Sequence, residues 1–162
     1  MRRTAVLAGA VAAALATAGV VAVSGGAEAP GGTTLKFVSK GGVFKFVDAP
    51  PRARHEEDAS SGDEFLLSTP LYNAANRRVG TLDARCAFTR GGRRLRGVCT
   101  GIYDVPGGEI HGTARLSAND DVAGAVIGGT GAYVGARGTF TSVDRPGEAG
   151  GDPTDETITL LP

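Results

Sequence analysis

Arg78-Val79-Gly80-Thr81-Leu82-Asp83-Ala84-Arg85-Cys86-Ala87-Phe88-Thr89-Arg90, then Gly91-Gly92, then Arg93-Arg94-Leu95-Arg96-Gly97-Val98-Cys99-Thr100-Gly101-Ile102-Tyr103: this stretch reads as two strands and a turn. Gly80, Leu82, Ala84, Cys86 and Phe88 share one parity, and Thr81, Asp83, Arg85, Ala87 and Thr89 the other. A strand points successive side chains to opposite faces, so this alternation sends one face to a core and the other to water. The second strand repeats it, with Leu95, Gly97, Cys99, Gly101 and Tyr103 inside and Arg94, Arg96 and Thr100 outside. With Gly92-Arg93 as a two-residue loop, Cys86 stands six residues before the turn and Cys99 six after it. The two cysteines therefore face each other, and a disulfide is expected where the compartment permits oxidation. Only His55 and His111 could join them in a metal site, and no metal is expected.

Strand-and-turn chemistry continues in both directions. Short β-branched and aromatic runs fall near 34–39, 43–48, 64–72, 79–89, 94–104, 109–117, 122–127, 133–143 and 155–161. The first two form one long strand if it is broken at Gly41-Gly42. Turns fall at Arg90–Arg93, Pro106-Gly107-Gly108 and Asn119-Asp120-Asp121, and the polar, proline-containing segment 49–63 reads as a surface loop. No 3.6-residue apolar period exceeds two turns. Eight or nine evenly spaced antiparallel strands suggest a closed up-and-down barrel or a sandwich. Glu109, His111, Thr113 and Arg115 fall outside on the sixth run, against Ile110, Gly112, Ala114 and Leu116 inside. An eight-stranded barrel is just wide enough to be filled by side chains or to hold one small ligand. Glycines at 80, 97, 101 and 112 favour a cavity, unless large residues from other strands fill the middle.

The N-terminus carries a different signal. Met1-Arg2-Arg3 precedes an uncharged run from Ala5 to Val23, and small residues follow to Ala29. That order is a secretory signal peptide, giving a leader at 1–29 and a domain at 30–162, with secretion expected and no stable membrane anchor after cleavage. The chain has 17 Lys+Arg and 17 Asp+Glu; losing Arg2, Arg3 and Glu28 leaves 15 against 16. A net charge of −1 provides no footprint for nucleic acid. No Ser-His-Asp order, G-x-S-x-G, phosphate loop or metal spacing is present, and no cofactor is expected.

Two motifs carry a family resemblance. Gly62-Asp63-Glu64-Phe65-Leu66-Leu67-Ser68-Thr69-Pro70-Leu71-Tyr72, with Arg78-Val79-Gly80 and Cys86, resembles a run of plant allene oxide cyclases. Gly128-Gly129-Thr130-Gly131-Ala132-Tyr133, with Gly135-Ala136-Arg137-Gly138, resembles a run shared by dirigent proteins and those cyclases. The resemblance spans about residues 62–143. It implies an all-β fold, an eight-stranded antiparallel, calycin-like β-barrel with an apolar ligand cavity, often trimeric. Such proteins steer ring closure or coupling of a reactive intermediate by positioning, in which confined geometry selects one transition state. Cys86 matches a cysteine lining the cyclase pocket, and Thr69 stands where the cyclases carry an asparagine. The cyclase pocket glutamate comes from the first strand, where Lys36 to Val47 offers no carboxylate; that departure and the disulfide weigh against allene oxide cyclisation itself.

The cavity candidates are therefore Thr69, Leu82, Cys86, Phe88, Tyr103 and Leu116, with Thr69 and Tyr103 as polar handles and a small apolar molecule as partner. Tyr72 reads as a rim hydroxyl, and Asp83, Asp104 and His111 as solvated outer residues. The competing expectation is a non-catalytic structural or interaction module on the same barrel.

Overall fold

Among the described residues, β-branched and aromatic residues with period-two alternation form nine strands: β1 (Thr33–Ser39), β2 (Val43–Val47), β3 (Glu64–Tyr72), β4 (Arg78–Arg90), β5 (Arg96–Val105), β6 (Gly108–Ser117), β7 (Val122–Gly129), β8 (Gly138–Asp144) and β9 (Thr154–Leu160). The computed structural model describes residues 32–50, 59–117, 121–145 and 153–162. The expected signal peptide at 1–29 lies outside them, as do His55 and the turn residues Asn119 and Asp120.

All strands pair antiparallel with their chain neighbours from β2 through β9, apart from the step between β1 and β2. β9 then pairs with β1 along seven residues, and β1 returns to β3 through Val38↔Tyr72 and Ser39↔Leu71. β1 and β2 lie along the same neighbour, β3, and act as the two halves of one strand. The nine segments thus close an eight-stranded antiparallel barrel. The break falls at Gly41, whose φ of 68° lies in the left-handed region that glycine enters without a Cβ clash.

Inside the wall lies a core that includes Leu71, Leu82, Tyr103, Ile110, Phe140 and Ile158, each under a tenth exposed. The Cys86–Cys99 disulfide forms across the β4–β5 hairpin in the expected register. The turn itself differs from the expected two-residue loop. Gly92–Arg94 makes a 3-10 turn, and a register shift between Phe88 and Arg90 absorbs the added residues.

The expected strand 133–143 is shorter at its start. Gly131–Tyr133 forms a 3-10 turn and β8 begins only at Gly138. The Gly128–Tyr133 motif is instead a lock on the β5–β6 turn. Thr130 N–H donates to Glu109 O at 2.9 Å, Ala132 N–H to Gly107 O at 2.8 Å, and the Tyr133 hydroxyl to Pro106 O at 3.0 Å. Gly131 combines a φ of 58° with a space where a Cβ would lie 2.2 Å from Gly107 O. Only glycine fits there.

Candidate functional site

The barrel interior is not filled to its centre. A cavity of about 230 Å³ lies against β3, β4, β5, β8 and β9, with Phe65, Leu82, Cys86, Cys99 and Phe140 among its apolar wall. Of the six residues expected to face it, Leu82, Cys86 and Tyr103 do. The other three lie elsewhere. Thr69 is buried beneath the strand break, where a Cβ on Gly42 would come within 2.6 Å of its own Cβ. Phe88 stacks on Phe65 at 6.0 Å and on Phe46 at 6.3 Å. Leu116 packs half-buried against the core.

The four inward glycines also separate. Gly101 lines the cavity, and a Cβ there would make ordinary contact, 3.4 Å from Leu82 Cδ1. At Gly80 and Gly97 a Cβ would meet neighbouring backbone, 2.1 Å from Asp104 O and 2.9 Å from Ala87 O. The space above Gly112 is occupied by Phe140, whose Cε1 lies 2.7 Å from the position of an added Cβ. One ring thus fills part of the lumen while the Gly101 side stays open.

The polar end of the cavity is built around a residue the motif reading did not single out. Glu156 on β9 is 2% exposed and accepts three hydroxyl hydrogen bonds. Ser39 Oγ donates to Oε1 at 3.0 Å, while the Tyr103 hydroxyl (3.1 Å) and Ser142 Oγ donate to Oε2. Burial pushes the Glu156 pKa up; the three hydroxyl donors oppose that, and the nearby Asp144 charge adds to the rise. The Tyr103 pKa is also raised, first by burial and then by the Glu156 charge, so its hydroxyl stays protonated and available as a donor. Asp144 and Thr154 complete this end, with Thr154 Oγ1 donating to Asp144 at 2.9 Å. A buried carboxyl group with a raised pKa in a cavity is an acid–base candidate.

A parity signal for Glu156 was present. Glu156 alternates with Ile158 and Leu160 on one face of β9, while Asp155, Thr157 and Thr159 take the other. Because β1 and β9 are neighbours, the lumen carboxylate stands beside the first strand rather than on it.

Other candidates stay outside. Asp83 and Asp104 are exposed, and His111 Nε2 lies 3.1 Å from Glu109 Oε2 on the outer face. Tyr72 sits under the Lys40 ammonium, 4.8 Å from its ring centre, in a cation–π contact. Among the described residues no three His, Cys, Asp or Glu side chains are placed to hold a metal ion. A wider, open groove on the outer wall exposes Val43, Leu66, Ile102 and Ile127 beside Lys45, Asp83 and Arg85.

No protein-family model matches the sequence, and no curated protein matches it. Among solved structures, the chain is similar to a pyocyanin demethylase, with TM-score 0.66 and 21% identity over 80% of this chain and 100% of that one. It is similar to a pterocarpan synthase dirigent protein, with TM-score 0.62 and 18% identity over 82% of this chain and 96% of that one. It is also similar to a Diels–Alderase from Streptomyces koyangensis, with TM-score 0.60 and 13% identity over 80% of this chain and 68% of that one. At such identities the likeness is one of fold. The chain has the barrel fold of dirigent proteins and cyclase barrels, as its motifs imply.

Proposed function

We propose that the protein is a secreted small-molecule barrel that binds a mainly apolar metabolite in its lumen and steers its cyclisation or coupling. The observation that carries this reading is the open cavity ending in Glu156, Tyr103, Ser39 and Ser142. An apolar chamber with a few convergent polar groups is the usual form of a small-molecule site. Confinement would hold the reacting atoms in one geometry, and Glu156 would accept or return a proton at the polar end. The similar structures include a Diels–Alderase and a dirigent protein, which favours ring closure or coupling over hydrolysis. The leader-like N-terminus and the disulfide support export. Native mass spectrometry after exposure to culture extract tests the reading. A small molecule retained by the wild type and lost from Gly101→Leu is expected; equal retention by both would end it.

The expected homo-oligomer is assigned to the outer groove, with a second copy of this chain as occupant. Val43 is 73% and Ile127 61% exposed there. Apolar patches on a wall usually mark contacts between proteins. Lys45, Asp83 and Arg85 give the face both signs of charge. In sedimentation velocity the wild type should run as an oligomer and Ile127→Asp as a monomer. A monomeric wild type would remove this assignment without touching the lumen.

A further inference from the structure

The hydrogen count at the polar end of the lumen restricts what can enter it. A hydroxyl has one hydrogen to donate, and an ionised carboxylate has none. Ser39, Tyr103 and Ser142 point their hydrogens at Glu156, and Thr154 points its own at Asp144. With Glu156 ionised, what these groups present to a guest is lone pairs. No Lys, Arg or His lies among the described residues lining the cavity, so its only formal charges are the carboxylates of Glu156 and Asp144. The rest of the wall includes the rings of Phe65, Phe140 and Tyr103, the last two edge-to-face with centres 5.8 Å apart. Aromatic faces and carboxylates both attract positive charge, and attraction to the rings strengthens when water is excluded.

From this arrangement we infer that the lumen selects a small planar aromatic cation, or an aromatic base that binds protonated, and rejects carboxylate-bearing molecules of the same size. The inference rests on the lumen being the binding site. It separates this chamber from one built for a fatty or aromatic acid, which would need a cationic or N–H anchor in place of Glu156. Burial raises the pKa of Glu156, so the empty site holds its proton more tightly than an ordinary carboxyl group. A cation entering beside Glu156 favours the ionised form and displaces that proton. Among the described residues, the other titratable groups facing Glu156 are Tyr103 on β5 and Asp144 on β8; Tyr103 stays neutral, and the Asp144 charge adds to the pull on the cation.

The test uses three probes of one shape: 1-methylquinolinium, its neutral isostere 1-methylnaphthalene, and 1-naphthoate. Their dissociation constants are measured by fluorescence titration on the full-length protein at several pH values. The preference for the cation over the neutral isostere should fall at least tenfold in Glu156→Gln. In the wild type it should climb as pH rises through the Glu156 pKa and then level off, with the neutral probe flat throughout. Naphthoate should bind weakest of the three. The wild-type pH profile stands alone if Glu156→Gln does not fold. A cation preference that ignores both pH and Glu156→Gln, or naphthoate binding as tight as the cation, overturns the charge inference and leaves the lumen reading intact. If no probe binds, or if Gly101→Leu binds all three unchanged, both the inference and the lumen reading fall.

Discussion

Glu156 places an ionisable group where an apolar side chain would pack at lower cost, between Ile158 and the polar ends of β1 and β8. Burial raises its folded-state pKa above the ordinary 4.5, so the folded protein takes up the proton more readily than the unfolded chain. Its contribution to stability is therefore full below that ordinary value and is lost as pH rises through the raised one. Glu156→Gln should raise the melting temperature at pH 8 by roughly 2–4 °C, the shift that about 1 kcal/mol produces in a chain of this length. The gain should vanish near pH 4; calorimetry at both values checks it, and a destabilised variant at pH 8 would contradict it. Asp63 runs the other way. Burial raises its pKa, but the backbone N–H groups of Ser60 and Ala49 outweigh that and bring it below the usual value. Its stabilising share is present above the ordinary carboxylate pKa and lost as pH falls through the lowered one. Tyr103 was legible because parity on β5 is clean and its neighbours are cysteine and glycine. Glu156 was not drawn out because a single carboxylate in a strand usually faces water, and only closure of β9 onto β1 turns its parity inward.

Among the elements, the β4–β5 hairpin carries the strongest local constraint. Its disulfide spans 13 residues, and the loop-closure model gives such a link on the order of 3 kcal/mol. Replacing both cysteines by serine should lower the unfolding free energy by about that amount in urea titrations. Intact mass should show no alkylation without reductant; two alkylated thiols would refute the bridge. The hairpin was legible because a regular ladder fixes which residues face each other, so the register survived even though the turn is longer than expected. β8 was less so. Val134, Ala136 and Phe140 share one parity and apolar character, which imitates a continuous strand. The lock at Gly131, with Tyr133 tied to Pro106, depends on contacts 27 residues apart and leaves no period in the sequence. Glycine placement misled in the same manner. Gly112 reads as empty space until Phe140 arrives from a strand 28 positions away in the chain.

At the scale of the whole molecule, the barrel is hollow beside Gly101 while Phe140 fills the space above Gly112. The backbone at Gly101 is not in the left-handed region, and an added Cβ meets nothing closer than 3.4 Å, so a larger side chain can enter. Leucine at that position would extend into the cavity shared by Leu82, Cys86 and Tyr103. The most direct measurement is a fluorescence titration of the neutral apolar probe N-phenyl-1-naphthylamine against the wild type and Gly101→Leu, with circular dichroism and melting temperature recorded on both. The wild type should bind saturably, and Gly101→Leu should lose binding while keeping its strand spectrum and nearly its full melting temperature. Probe binding unchanged by the substitution, or a variant destabilised by the roughly 1–3 kcal/mol typical of overpacking, would mean that the lumen is not the site and would leave the structural module in its place.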